Sequence, residues 1–376
     1  MSVRIEVDLG ERSYPIIIDG AKRPEVHRQI RAVRPDRVFA VFDAQVFALH
    51  GRALIDDLKK SGEPACSLTL PIDERAKNRS TVNEIHDWLL AEGVSRSDLI
   101  LAVGGGVTTD LIGYAAATVL RGVSWGAIPT TLVGMIDAAI GGKTGINHPL
   151  AKNAIGVFWQ PQFVYSYTPY LNTLDERQVY AGIGELIKYA GLAGESLIAM
   201  TSELVDVAGI GSGRKLEKAI AVAAAYKAAL VSEDERDVGI RQFLNLGHTF
   251  AHGLEQSLGY GKLLHGEAVS VGLLAAVYLS EMTIAGARTN LAGYRQVVEE
   301  NIARVPRRTI EVDRVLKAME FDKKRAGRSI RLILLKRPGR PVIRSGIDSQ
   351  RIRQALERAV QFYRENGGKR GADSHH

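Results

Sequence analysis

The stretch that decides the fold is "LILAVGGGVTTDLIGYAAATVL", residues 99–120. It starts as an apolar run, passes through Gly104, Gly105 and Gly106, and continues with helical spacing. This order predicts a buried strand that turns directly into a helix. Glycines at such a turn let the backbone approach a ligand closely, and the N-terminus of a helix offers unpaired N–H groups to a phosphate. A tight strand-to-helix turn without a ligand fits the same residues, so the run alone is weak evidence for a nucleotide site.

The rest of the first half repeats this alternation of strand and helix. "RVFAVFD" (37–43) has the pattern of a second buried strand, and residues 44–62 and 80–93 have helical patterns. Such alternation predicts a parallel sheet with right-handed crossovers. After about residue 170 helical patterns dominate, at 176–192, 214–232, 241–257 and 266–285, followed by a hairpin at 329–344 and a helix at 349–365.

We therefore predict two domains. Residues 1–169 form a Rossmann-like α/β domain that binds a nucleotide, and residues 170–376 form a mostly α-helical domain. The active site is expected in the cleft between them, where sites of such proteins are usually found.

The composition of the chain is typical of a globular enzyme. The chain has 376 residues, of which 45% are hydrophobic and 24% charged, as in a globular protein. Its net charge of +7 suits an enzyme with an anionic substrate, and because the cations are scattered among acids we expect no nucleic-acid partner. Cys66 is the single cysteine, so no intrachain disulfide can form. The N-terminus lacks a signal-peptide pattern and the apolar region 111–136 is interrupted by Arg121, which together predict a cytoplasmic protein with no membrane span.

Residues 241–255 carry an unusual polar stripe. If this stretch is one helix, one face, opposite apolar residues, carries Arg241, Asn245, His248, His252 and Glu255. Arginine, asparagine and histidine suit anions and metal ions, whereas a solvated face usually carries Lys, Glu and Gln. A half-exposed helix with satisfied histidines is the alternative. The i, i+4 pair of histidines lacks the glutamate of the HExxH zinc motif, so it does not by itself establish a metal site.

Two further candidates lie outside this stripe. Glu185 and Lys188 are i, i+3 neighbours in the apolar, glycine-flanked stretch "YAGIGELIKYAG" (180–191). Charged groups there cost free energy unless they are paired or used, so a local ion pair is the alternative to a functional role. His265 follows a glycine-rich break and stands at the start of the pattern of 266–285.

Several motifs occur in order along the chain: "GGGVTTD" (104–110), a long block at 120–161, "GELIKY" (184–189), "RQFLNLGHTFAH" (241–252), "HGEAV" (265–269) and "DKK" (322–324). Together they resemble the 3-dehydroquinate synthases, a family of sugar phosphate cyclases, over nearly the whole chain. The resemblance implies a divalent metal, zinc by preference and cobalt as the alternative, held by Glu185, His248 and His265. One carboxylate and two imidazoles leave coordination positions open for substrate, as a catalytic zinc ion requires.

The resemblance also implies an NAD site and a substrate site. The residues implied for NAD are Asp43, Asp73, Glu74, Lys77, Gly105, Gly106, Val107, Thr108, Thr109, Asp110, Thr130, Thr131, Lys143, Lys152 and Thr173. Those implied for the substrate phosphate are Arg121, Lys143, Asn153, His252 and Lys324, those for its hydroxyls Asp137, Lys188 and Lys227, and those for its carboxylate Arg241 and Asn245. Arg121 is expected to reach across the interface of a homodimer.

The implied reaction converts 3-deoxy-D-arabino-heptulosonate 7-phosphate, a phosphorylated keto-acid sugar, into 3-dehydroquinate and phosphate. This is the second step of the shikimate pathway, which leads to the aromatic amino acids, and in it NAD is reduced and then reoxidised. Three alternatives stay open: an aminodehydroquinate synthase, another sugar phosphate cyclase, and, more distantly, an iron-type alcohol dehydrogenase. Because cyclases for substrates without a carboxylate tend to lose the Arg/Asn pair, Arg241 and Asn245 favour a keto-acid substrate.

Overall fold

The structure is a computed structural model that describes residues 2–22, 24–206, 213–259, 261–326 and 330–369, without the side chains of 321–326. Its strands are β1 (Val3–Val7), β2 (Tyr14–Asp19), β3 (Val38–Asp43), β4 (Ala65–Leu70), β5 (Leu99–Gly104), β6 (Ser124–Pro129), β7 (Lys143–His148), β8 (Ala151–Phe158), β9 (Val164–Tyr167), β10 (Arg331–Leu335) and β11 (Pro341–Ser345). Its helices are α1 (His27–Val33), α2 (Ala44–Leu58), α3 (Arg79–Ala91), α4 (Gly106–Thr118), α5 (Glu176–Ala193), α6 (Glu195–Asp206), α7 (Arg214–Glu233), α8 (His248–Leu258), α9 (His265–Thr283), α10 (Ala287–Asn290), α11 (Ala292–Ile302), α12 (Val312–Ala326) and α13 (Ser349–Asn366).

The chain divides into two compact units. The first comprises Met1–Leu174 and Ile210–Arg236, and the second comprises Asp175–Gly209 and Asp237–His376. This division differs in two respects from the predicted domains, 1–169 and 170–376: the first break falls after Leu174, and a later segment returns to the first unit. Residues 210–236 belong to the first unit because α7 packs against β1 and β2, which no local pattern in the sequence reveals.

The first unit is built on a seven-stranded sheet in the order β1-β2-β9-β6-β5-β3-β4. All neighbouring strands are parallel except β1 and β2. Every residue of β5 is buried, which is why this strand is a continuous apolar run rather than an alternating one. The predicted parallel α/β fold is confirmed.

The strand order places a switch point between β3 and β5. From β3 the chain crosses to β4 on one side, and from β5 it crosses to β6 on the other. Asp43, Gly105 and Thr130 stand at or directly after the carboxyl ends of β3, β5 and β6. Ligands of open α/β sheets bind outside the carboxyl ends of the strands at such a point.

The second unit is helical and surrounds α9. This helix is buried from Gly266 to Ser280 and packs against α5, α8, α11 and α13, which explains why it is apolar on every side. The predicted hairpin exists as β10 and β11, and the predicted last helix exists as α13. Among the described residues, no helix is both long and apolar enough to cross a membrane.

The predicted continuous helix over 241–257 is wrong. Residues Ile240–Asn245 form a 3₁₀ turn, and α8 starts only at His248. The break is at Gly247, whose φ of 76° lies in the left-handed region that favours glycine. Arg241 and Asn245 therefore do not share a helical face with His248 and His252.

Candidate metal centre and cofactor site

Three side chains converge in the second unit. Glu185 comes from α5, His248 is the first residue of α8, and His265 is the first residue of α9. Each offers one possible ligand atom, and these atoms lie within 4.8 Å of one another. The Nε2 atoms of His265 and His248 are 3.1 Å and 3.4 Å from the same Glu185 oxygen, Oε1.

Glycines bring the three helices this close. A Cβ atom on Gly184 would lie 2.2 Å from the Gly266 carbonyl oxygen, and one on Gly266 would lie 1.7 Å from the Ala181 carbonyl oxygen. A Cβ atom on Gly247 would lie 2.8 Å from the backbone nitrogen of Leu273. Contacts this short are forbidden to real side chains, so α5 and α8 can approach α9 backbone to backbone only where glycine stands.

The start of α9 is fixed by a buried glutamate. Glu267 accepts a hydrogen bond of 2.7 Å from the Leu264 backbone N–H, which caps the helix. It also accepts two hydrogen bonds, 2.6 Å and 2.8 Å long, from the Arg177 guanidinium on α5. This bidentate pair ties the first turn of α9, and with it His265, to the helix that carries Glu185.

The centre keeps its carboxylate ionised although it is wholly buried. Burial raises the pKa of Glu185, but the positive charge of Lys188 and the contact with His248 outweigh burial and hold this pKa well below its ordinary value. Lys188 is itself buried, with its Nζ 2.7 Å from Glu185 Oε2. These contacts are close, yet neither Glu185 oxygen has a hydrogen-bond partner of acceptable geometry among the described residues, as expected of a carboxylate whose partner is a cation.

The two imidazoles are arranged in the same way. His248 Nδ1 is 3.1 Å from the Leu246 carbonyl oxygen, a contact that requires the proton on Nδ1 and leaves Nε2 as an acceptor. Burial lowers the pKa of His265, but its close contacts with the carboxylates of Glu185 and Glu255 reverse this and raise it to about 10. Positive charge at this ring is therefore favoured. A carboxylate and two imidazoles at such spacing fit a divalent metal such as zinc.

The remaining substrate candidates of the second unit differ in burial. Arg241 is buried, whereas Asn245 and His252 are exposed. The His252 ring is centred 5.7 Å from that of His248 and 6.0 Å from that of His265. Lys324 falls among the residues whose side chains the structure does not describe.

In the first unit, Lys77 joins two implied cofactor and substrate residues. Its buried Nζ is 2.5 Å from Asp110 Oδ2 and 2.5 Å from Asn153 Oδ1. Burial raises the pKa of Asp110 against the lowering effect of Lys77. Asn147, which the sequence analysis missed, donates a 2.8 Å hydrogen bond to Glu74 and accepts one from the Asn153 backbone. Its place in the 120–161 block was the available signal.

Other implied NAD residues hold the loops at the carboxyl edge of the sheet. Asp43 caps α2 by accepting hydrogen bonds from the Gln45 and Val46 backbone, and Asp73 accepts from those of Arg75 and Ala76. Gly105 is the N-cap of α4, whose first residues are Gly106, Val107, Thr108, Thr109 and Asp110. The others are Thr130 directly after β6, Thr131 accepting from Gly134 N–H, Lys152 beside Glu74, and Thr173 bonded to His50.

The other substrate candidates of the first unit divide into a pair and two exposed cations. Lys227 donates a 2.7 Å hydrogen bond to the Asp137 carbonyl oxygen and also contacts its carboxylate. Lys143 and Arg121 are exposed. Arg121 has a φ of 64° and its neighbour Leu120 a φ of 49°, so two non-glycine residues in succession adopt a left-handed conformation. Such local strain is concentrated at functional sites.

Comparison with known proteins decides the family. Family models described as 3-dehydroquinate synthase N-terminal and C-terminal match residues 67–181 and 182–325. The 3-dehydroquinate synthase of Acinetobacter baumannii (strain AYE) is 38% identical over 352 residues, which cover 94% of this chain and 98% of that protein. The chain belongs to the 3-dehydroquinate synthase family. The predicted family is therefore confirmed, as is the predicted lyase activity in the shikimate pathway.

Solved structures agree on the fold. A 2-epi-5-epi-valiolone synthase from Streptomyces hygroscopicus subsp. jinggangensis, with NAD⁺ and Zn²⁺ bound, superposes with a TM-score of 0.82 at 25% identity, over 94% of this chain and 98% of that one. A 2-deoxy-scyllo-inosose synthase in complex with carbaglucose-6-phosphate, NAD⁺ and Co²⁺ gives a TM-score of 0.84 at 22% identity, over 95% and 100%. An iron-containing alcohol dehydrogenase reaches a TM-score of 0.64 at 13% identity, over 93% of this chain and 97% of that one, so the distant alternative shares the fold.

Proposed function

We propose that this 3-dehydroquinate synthase family member uses a divalent metal held by Glu185, His248 and His265, together with NAD bound at the carboxyl edge of the sheet. The observation that carries the proposal is the convergence of one ionised, fully buried carboxylate and two imidazoles from three separate helices. When bound, the metal would lower the pKa of a substrate hydroxyl and orient that hydroxyl for hydride transfer.

The protein's own part in the reaction is to hold a substrate with several negative charges. Lys188 and Lys227 are buried cations, and Arg241 is a buried guanidinium whose planar fork matches a carboxylate. In this proposal Arg241 and Asn245 hold the substrate carboxylate, Asp137, Lys188 and Lys227 hold its hydroxyls, and Arg121, Lys143, Asn153, His252 and Lys324 serve its phosphate.

NAD binding rests on the edge of the sheet in the first unit. The N-terminus of α4 presents backbone N–H groups at Gly105 and Gly106 to the pyrophosphate. The ion pair between Lys77 and Asp110 holds the start of α4 in place beside this loop. Asp43 follows the adjacent strand, the usual place for a carboxylate that meets a ribose hydroxyl.

Finer points belong to the same proposal. Zinc is the preferred metal and cobalt the alternative; the related structures with Zn²⁺ and Co²⁺ support either. We also propose a homodimer and a cytoplasmic location, with which the single cysteine is consistent.

Turnover of the heptulosonate phosphate tests the proposal. Purified protein with NAD and zinc should release phosphate without accumulating NADH, whereas an alcohol dehydrogenase would accumulate NADH. Turnover of the amino analogue of this substrate, measured in the same assay, distinguishes an aminodehydroquinate synthase from a 3-dehydroquinate synthase. His248→Ala should abolish metal binding and turnover together, because a site left with one carboxylate and one imidazole holds zinc poorly. A His248→Ala protein with full metal content and full rate would refute the ligand assignment.

A further inference from the structure

A second buried carboxylate contacts the nitrogen of His265 that is turned away from Glu185. Glu255 lies on α8, two turns after His248, and is only 5% exposed. Its Oε2 is 3.4 Å from Nδ1 of His265, while Nε2 of the same ring is 3.1 Å from Glu185. The His265 ring thus stands between two carboxylates, with one nitrogen toward each.

We propose that Glu255 is a positioning residue that keeps the proton of His265 on Nδ1 and so presents Nε2 to the metal. This inference rests on the proposed metal centre. A neutral imidazole carries its proton on either nitrogen, and only one of the two tautomers offers Nε2 as a ligand. A carboxylate that accepts from Nδ1–H selects that tautomer, fixes the plane of the ring and makes Nε2 a stronger donor to the metal.

The two histidines of the centre support this role by analogy with each other. At His248 the partner of Nδ1 is a backbone carbonyl, that of Leu246, and this partner is set by the chain itself. His265 is the first residue of α9 and has the Glu255 side chain in the corresponding place. One imidazole is therefore oriented by the backbone and the other by a side chain that mutation can remove.

Glu255 is also part of a second possible ligand group, with His252 and His265. The two groups share His265, but they differ in burial. In the first group Glu185 is completely buried and is approached by the Nε2 atoms of two imidazoles, whereas the second group depends on the exposed His252. The more enclosed group suits the metal, which leaves Glu255 as the hydrogen-bond acceptor.

Cobalt titration of the full-length protein tests the role. The parent, Glu255→Ala, Glu255→Gln and the control Glu281→Gln are titrated with Co²⁺, and the visible spectrum gives both affinity and ligand geometry. Glu281 is a buried glutamate of the same helix as His265 and pairs at 2.7 Å with Arg295, so its replacement removes a buried charge without touching the ring. We expect Glu255→Ala to weaken Co²⁺ binding by about 10–100-fold and to change the spectrum.

The remaining arms separate a positioning role from a loss of folding. Glu255→Gln keeps the shape and an acceptor oxygen, so its affinity should fall less than that of the alanine variant, and Glu281→Gln should stay within about twofold of the parent. Correlation of ¹H and ¹⁵N in histidine-labelled, zinc-loaded protein reports the tautomer directly, and the parent should show a proton on Nδ1 of His265. Unchanged affinity and spectrum in Glu255→Ala, or a proton on Nε2 in the parent, would overturn the inference.

The same titration shows whether a failure concerns the metal centre or only Glu255. If His248→Ala binds Co²⁺ as the parent does, the proposed centre is wrong, and the inference about Glu255 is overturned with it. If His248→Ala loses the metal while Glu255→Ala keeps it, the centre stands and the positioning role alone is refuted.

Discussion

Replacing Gly184 by alanine should weaken metal binding at the proposed centre, although Gly184 is not itself a ligand. The new Cβ would lie 2.2 Å from the Gly266 carbonyl oxygen, about 1.2 Å short of an ordinary contact of 3.4 Å. Because this neighbour is backbone, the clash is relieved only if α5 and α9 move apart. Metal–ligand distances tolerate shifts of about 0.2 Å. If the two helices move apart by about 1 Å, Glu185 and His265 can therefore no longer bind the same metal ion.

We expect two measurable effects in the Gly184→Ala protein. Overpacking of this size should lower the free energy of unfolding by about 1–3 kcal/mol. Co²⁺ affinity should fall by at least about tenfold, since the ligand geometry is lost together with the packing. Thermal or denaturant unfolding measures the first effect, and titration of Co²⁺ followed by its visible spectrum measures the second.

Gly293→Ala is the matched control. Gly293 is an exposed residue of α11 in the same unit, and within the described part of the chain no atom lies within 4 Å of the position its Cβ would take. There the substitution should be neutral or stabilise by up to about 1 kcal/mol, because alanine favours helix. If Gly184→Ala bound Co²⁺ as tightly as the Gly293→Ala protein, close helix packing would not be what assembles the centre.

Two further predictions concern charged side chains of the second unit. Because the pKa of His265 is raised to about 10, the metal-free protein holds this proton near pH 8, and zinc binding should release about one proton, against roughly 0.03 for an ordinary pKa of 6.5. Calorimetry in buffers of different ionisation enthalpy measures the release, which should decline as pH rises through about 10; a value near zero at pH 8 contradicts the raised pKa. Arg241→Ala should lower kcat/KM for the keto-acid phosphate by roughly 100-fold through loss of charge-assisted hydrogen bonds, while the surface control Arg331→Ala leaves it unchanged. An equal kcat/KM for the Arg241→Ala protein and the parent would mean that other residues hold the carboxylate.

The sequence predicted the first unit well because its signals are local. The buried strands β3 and β5 are apolar runs, and Gly104 to Gly106 mark the turn into α4, so strand, turn and helix could be inferred from neighbouring residues. The return of α7 to β1 and β2 could not be inferred, since it depends on a contact between residues over 200 positions apart, such as that of Asp8 with Ser232.

In the second unit, periodicity was misleading where geometry mattered most. The spacing of Arg241, Asn245, His248 and His252 is helical, yet the helix is interrupted at Gly247. A Cβ atom on Gly247 would lie 2.8 Å from the Leu273 backbone nitrogen, so the chain can pack this closely on α9 only with glycine there. Tertiary packing of α8 on α9 outweighed local propensity here. Glu255 was noticed only as the end of the polar stripe, since nothing in the sequence places it against a ring ten residues away.

The three ligand candidates were grouped in the sequence only through the family resemblance, and the glycines beside them explain how they come together in the structure. Glu185 follows Gly184, His248 follows Gly247, and His265 precedes Gly266. The possible ligand atoms of these three side chains lie within 4.8 Å of one another, close to points where helix backbones touch, since a Cβ atom at any of these glycines would collide with backbone atoms. Each ligand candidate therefore stands next to a glycine that permits the close approach of two helices. In this chain the candidate ligands come from three separate helices that approach each other at glycines, an arrangement that differs from the i, i+4 spacing of ligands that share one helix.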